Sequence, residues 1–257
     1  MPRFVSRAGA KLHHAICAFG LDPTNAACAD LGCSTGGFTD AWLRHGAASV
    51  VAVDTGYGVL DYTLRSDSRV LVMERTNALH ADPPPRLAER AGARFVSVDV
   101  SWTPQHLVLP NATRWLDHQD AAARIVSLVK PHYEASSKRR RDRFQHLLER
   151  GALNERDARA VLDDVLTNDL PPLGLTCLAI TPSPIAGGKS GKRRSKSKRR
   201  SARANRPTAD AAAPANVEYL ALLAIERIGR QEGGAAACRR NASENVAPGE
   251  SAISEHA

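Results

Sequence analysis

Apolar and polar positions follow two rhythms along this chain. Over residues 10–19 (AKLHHAICAF), Leu12, Ala15, Ile16 and Phe19 recur at helical spacing and predict an amphipathic helix that ends before Pro23. Short apolar runs and helical stretches then take turns. Residues 26–31 predict a buried strand and 36–45 a helix closed by Gly46. Further strands are predicted over 50–54, 69–73, 94–99, 123–129 and 175–180, with a helix over 155–166. Residues 216–227 (NVEYLALLAIER) have core-like composition, and propensity alone makes them a helix. Strands alternating with helices predict an α/β fold: a mainly parallel sheet covered by helices on both faces.

Two stretches break this pattern. Residues 187–215 are rich in Gly, Ser, Lys, Arg, Ala and Pro and carry almost no large apolar side chain. Little there can offset the entropy of ordering, so a disordered insertion is expected within a domain spanning 1–230. Residues 231–257 are small and polar and are expected to form a disordered tail. Between Lys189 and Arg206 stand ten Lys or Arg and no acid, against a net charge of +8 for all 257 residues. The rest of the chain is therefore slightly acidic. A basic segment of this kind suits a polyanion such as RNA, and a solvated linker explains the charge equally well. A second basic run, Lys138–Arg143, is either a further phosphate contact or an ordinary exposed helix start.

Five cysteines (Cys17, Cys28, Cys33, Cys177 and Cys238) form no CxxC pair, so neither a zinc nor a disulfide framework is indicated and no metal is expected. The first residues lack the apolar core of a secretory signal, and no stretch approaches the ~20 apolar residues of a membrane span. A soluble, cytoplasmic protein is expected.

The strongest local chemistry lies in ACADLGCSTGGFTDAW, residues 27–42. A strand ends at Asp30-Leu31, a loop with Gly32, Gly36 and Gly37 follows, and a helix begins. Glycines let such a loop turn sharply and approach a ligand, and it stands where ligands of doubly wound sheets bind. The next strand, VVAVD, ends in Asp54, an acid suited to ribose hydroxyls. The loop is neither G-x-G-x-x-G nor a P-loop, and Asp30 would repel a pyrophosphate while suiting a cationic end such as the amino group of a methionine moiety. Two other readings stay open: a tight turn without a ligand, and a nucleophile elbow, since Gly32-Cys33-Ser34-Thr35-Gly36 also matches G-x-S-x-G.

SRAGAKL (6–12), DLGCSTGGFTD (30–40), VAVDTGYG (51–58), ERTNA (74–78), VDVSW (98–102), LVKPHYE (128–134), SPI (183–185) and NVEYL (216–220) occur in this order. Together they resemble the TlyA, or hemolysin A-like, family of FtsJ-like RNA 2′-O-methyltransferases. The resemblance implies a Rossmann-like methyltransferase fold with an antiparallel last strand, against the helical propensity of 216–227. It implies S-adenosylmethionine as cofactor and RNA, expected to be rRNA, as partner. It also implies a Lys-Asp-Lys-Glu tetrad at the ribose hydroxyl: Lys11, Asp99, Lys130 and Glu218, with Lys130 as base. Asp30, Gly32, Ser34, Thr35, Gly36 and Gly37 are expected around the methionine part, Asp54 at the ribose, and Thr76 and Asn77 near the adenine. Each tetrad residue taken singly has a plainer reading as a solvated charge, a cap or a strand end.

The chain also departs from this family. The S4 RNA-binding module common there is not expected, because the catalytic motifs begin near Met1; the basic insertion is the candidate to replace it. Cys33 stands where Ala is usual, a nearly isosteric change. Besides a methyltransferase, the sequence leaves open a ribosome-assembly factor that binds without turnover, and a membrane-damaging hemolysin. The missing signal and span argue against the last.

Overall fold

The apolar runs become strands covered on both faces. In a computed structural model that describes residues 3–149, 153–185 and 216–226, every residue of β1 (Ala27–Leu31) and β4 (Phe95–Val98) is buried. So are all but the first residue of β2 (Ser49–Val53) and of β5 (Arg124–Val129). Strands of this kind need helices above and below. With β3 (Val70–Met73), β6 (Leu175–Pro182) and β7 (Tyr219–Ile225), they form one sheet of order β3-β2-β1-β4-β5-β7-β6. The pairs among β1 to β5 are parallel, and β7 is antiparallel to both β5 and β6.

One face packs on α1 (Ala8–Ala18), α2 (Gly37–Arg44) and α3 (Tyr62–Arg65), through Leu12, Ile16, Phe38, Trp42 and Leu64. The other packs on α4 (Pro85–Ala88), α5 (Gln105–Trp115), α6 (Pro131–Ser136), α7 (Arg141–Leu148) and α8 (Glu155–Asn168), through Leu87, Trp115, Ala135, Leu147 and Leu162. The antiparallel last strand that the resemblance implies is present, and the helix that propensity alone predicts over 216–227 is corrected: Tyr219–Ile225 is a strand, buried nearly throughout and paired on both sides, so sheet formation overrides a weak local preference. Five helices, α3 to α7, escape the sequence pattern. Four are eight residues or shorter, and α5 contains Pro110. The predicted insertion and tail lie outside the described residues.

The second basic run is exposed except at Arg140, which points inward. Arg140 is 2% exposed and donates to Glu134 Oε2 (3.1 Å), Asp164 Oδ2 (2.7 Å) and Asp169 Oδ2 (2.6 Å). Arg143 pairs with Asp164, and Arg139 lies 3.4 Å from Asp169. The expectation that Lys138–Arg143 meets phosphates is thus corrected for Arg140, whose charge is met within the protein. Burial pushes the Glu134 carboxyl up to about 7 despite the neighbouring guanidinium.

Candidate active site

The site grows from the carboxyl ends of β1, β4 and β5, beside the point where the chain leaves β1 in one direction and reaches β4 in the other. Gly32 has φ +92°, and a Cβ there would lie 2.5 Å from Asp99 O, so only glycine lets the turn pass the end of β4. The Gly32 and Cys33 amides both donate to Val53 O, which ties the turn to β2. Ser34 (φ 49°) donates its amide to Asp54 Oδ2 (2.8 Å), and the Gly56 amide donates to Asp54 Oδ1 (2.7 Å).

The four predicted tetrad residues meet. Lys11 arrives on α1, Asp99 just past β4, Lys130 at the N-cap of α6 and Glu218 just before β7. Lys11 Nζ donates to Glu218 Oε2 at 2.5 Å, and Lys130 Nζ to Asp99 Oδ1 at 2.5 Å. All four line one cavity of about 420 Å³, with Gly32 and Ser34. Two cations and two anions therefore share a small space in which each charge has an opposite partner, as buried charges require.

The other predicted residues lie outside this lining. Asp30 is fully buried beneath the turn, where it accepts from Thr39 Oγ1 (2.7 Å) and Ser97 Oγ (3.0 Å). The reading that its charge faces the pocket is corrected. Burial pushes the carboxyl up to about 7 although those two hydrogen bonds favour its ionised form. Gly36 and Gly37 are also buried. A Cβ on Gly36 would meet Leu64 Cδ1 at 2.3 Å, and one on Gly37 the Gly9 nitrogen at 2.7 Å, so these glycines allow close packing against α3 and α1. Thr35 is exposed and accepts the Asp61 amide through its carbonyl. Thr76 donates its amide to Asp54 O, and Asn77 Oδ1 accepts the Leu79 amide.

Sequence reasoning left Ser6, Arg7, Trp102, His132 and Tyr133 without a role, yet they line the cavity. Trp102 is 72% exposed with φ 54°, a large apolar ring offered to solvent at the rim. The signal was its place directly after VDVS, at the end of a strand that delivers Asp99. Among the described residues no hydrogen bond joins Ser34 to a histidine, as a nucleophile elbow would need.

The family of FtsJ-like methyltransferases matches residues 4–165. YqxC of Bacillus subtilis, which bears the name of an rRNA methyltransferase, is 34% identical over 186 residues, 72% of this chain and 62% of that protein. The 16S/23S rRNA (cytidine-2′-O)-methyltransferase TlyA of Mycobacterium tuberculosis is 44% identical over 133 residues, 51% of this chain and 47% of that protein. The chain thus spans less than two thirds of the length of either relative. A solved structure of a hemolysin-named protein from Lactococcus lactis is similar with a TM-score of 0.65 and 31% identity, over 87% of this chain and 89% of that one.

Proposed function

The chain belongs to the FtsJ-like methyltransferase family, and from that premise we propose that it transfers a methyl group from S-adenosylmethionine to a ribose 2′-hydroxyl of RNA, with ribosomal RNA as substrate. One observation carries this reading: Lys11, Asp99, Lys130 and Glu218, far apart in sequence, line a single cavity next to the turn after β1. The names of the relatives from M. tuberculosis and B. subtilis point to the same substrate class.

The residues present fit the cofactor. The side-chain-free turn at Gly32 and the exposed Ser34 would hold its methionine end. Asp54 would hold the ribose, since each carboxylate oxygen accepts one backbone amide and keeps capacity for another donor. Asp30 would act from below, by fixing the turn between β1 and α2. When bound, S-adenosylmethionine supplies a methyl group already activated on a sulfonium.

What remains for the protein is to align the hydroxyl and take its proton. Lys130 Nζ, in its neutral form, accepts that proton, and Asp99 Oδ1 fixes the position of the nitrogen. Lys11 Nζ, held by Glu218, faces the same cavity and stabilises negative charge growing on the oxygen. The ring of Trp102 at the rim offers a surface on which a base can stack. Among the described residues no helix is long and apolar enough to cross a membrane.

Labelled S-adenosylmethionine and rRNA test the proposal. Lys130→Ala is expected to lower transfer by about 10²–10⁴-fold, the usual contribution of a general base, and to leave cofactor binding nearly unchanged. Wild-type protein that binds RNA and cofactor without transfer would favour the assembly-factor reading. Transfer unaffected by Lys130→Ala would remove this residue from the mechanism.

A further inference from the structure

Outside the cavity, two helices bring three ligating side chains together. His13 and Cys17 stand one turn apart on the same face of α1. His45, the C-cap of α2, lies 32 residues after His13 and faces them both. His13 Nδ1 and His45 Nε2 are 2.8 Å apart, and Cys17 Sγ is 4.0 Å from each ring nitrogen of His13. The three ligand atoms all lie within 4.8 Å of one another. Cys17 is exposed and both histidines are half-buried, so the group is open to solvent on one side.

We propose that His13, Cys17 and His45 form a binding site for a transition-metal ion of the zinc type, held by two imidazoles and one thiolate, with a fourth position open to water. Zinc bonds of about 2.0–2.1 Å to nitrogen and about 2.3 Å to sulfur, in tetrahedral array, set ligand atoms roughly 3.3–3.6 Å apart. The two imidazoles would separate by about half an ångström from their present contact and the thiol would close on His13 by about the same, with a closure of up to about 1.2 Å on His45, movements within reach of side-chain rotation. Binding releases the thiol proton. The hydrogen shared between the two rings moves to the other nitrogen of its imidazole, which frees both facing nitrogens as ligands. Imidazole and thiolate together select zinc and its soft neighbours over magnesium or calcium.

A second group of candidate ligands, His106, Glu134 and Asp169, contrasts with this one. Its two carboxylates already hold the guanidinium of Arg140, so the cation's place is taken. Among the described residues no such cation is paired with His13, Cys17 or His45. The site would tie the last turn of α1, the helix that carries Lys11, to the end of α2. It does not depend on the proposed methyl transfer, and none of its residues lines the cavity.

The whole 257-residue chain, stripped of metal by chelation, is titrated with Co2+. One equivalent is expected to give the ligand-field absorption of a near-tetrahedral ion and a thiolate-to-cobalt charge-transfer band, both displaced by Zn2+. Cys17→Ser should abolish the charge-transfer band, and His45→Gln should weaken zinc binding about 10-fold or more, as even the loss of an outer partner of a ligand does. At one zinc concentration the Tm of the wild type should rise more than that of either variant, with circular dichroism and cofactor binding unchanged in both. A wild type without the charge-transfer band, or a Cys17→Ser protein that retains it, overturns the proposal. So does zinc binding by His45→Gln at wild-type affinity.

Discussion

Asp30 and Ser97 are directly paired in register between β1 and β4, and Thr39 reaches down from α2, so the Asp30 carboxyl is enclosed by hydroxyls and apolar walls. Its pKa rises from 3.8 to about 7, chiefly through burial. Over that window the folded protein holds a proton that the unfolded chain has lost, so this group makes stability fall as pH rises, and above about 7 its full cost is present. Asn cannot ionise. The stability of Asp30→Asn relative to wild type should therefore improve steadily from pH 4 to pH 7, as urea unfolding across that range would measure. A difference that does not vary with pH would mean that Asp30 titrates normally. The strand's period of two already sets Asp30 on the face of Cys28, opposite Ala29 and Leu31. What lies over that face was not readable in sequence, and adjacency to a glycine loop suggested a ligand instead.

Among the elements, α6, α7 and α8 depend on one buried cation. Arg140 precedes Phe144 and Leu147 by one and two helical turns, and all three are buried on one side. The run KRRRDR reads as a charged surface, yet the spacing to those apolar residues carried the signal of an inward arginine. Arg140→Ala would leave Glu134, Asp164 and Asp169 crowded without their shared partner. A loss of about 3–5 kcal/mol is expected from chemical denaturation, the usual result of breaking a buried pair from one side. A loss below about 1 kcal/mol would show that water replaces the guanidinium with ease. At the α1–α2 contact the close approach of Gly9 and Gly37 sets the height of Lys11 over the turn. The sequence marks both glycines but does not say that they face each other.

On the scale of the whole molecule, charge and fold divide along the chain. The ten cations between Lys189 and Arg206 lie outside the described residues, while the described body carries the cavity. If that segment meets RNA, its deletion should weaken RNA binding and flatten the dependence of log K on log salt, by roughly 0.7 for each single-strand phosphate that the segment neutralises. An unchanged slope would return the segment to the role of linker. The sequence by itself determined β1 to β6 and the helices α1, α2 and α8, because burial on both faces demands continuous apolar runs and a helix demands a repeat of 3.6, both written locally. It also marked the glycine turn, since a left-handed conformation beside a strand end leaves little choice of residue. Only the tertiary structure decided the pairing of β7 with β6, the pairing of Lys11 with Glu218 across 207 residues, and the meeting of His13 and Cys17 with His45. Polar side chains carry no periodic signature of their partners; sheet order and helix packing choose which of them become neighbours.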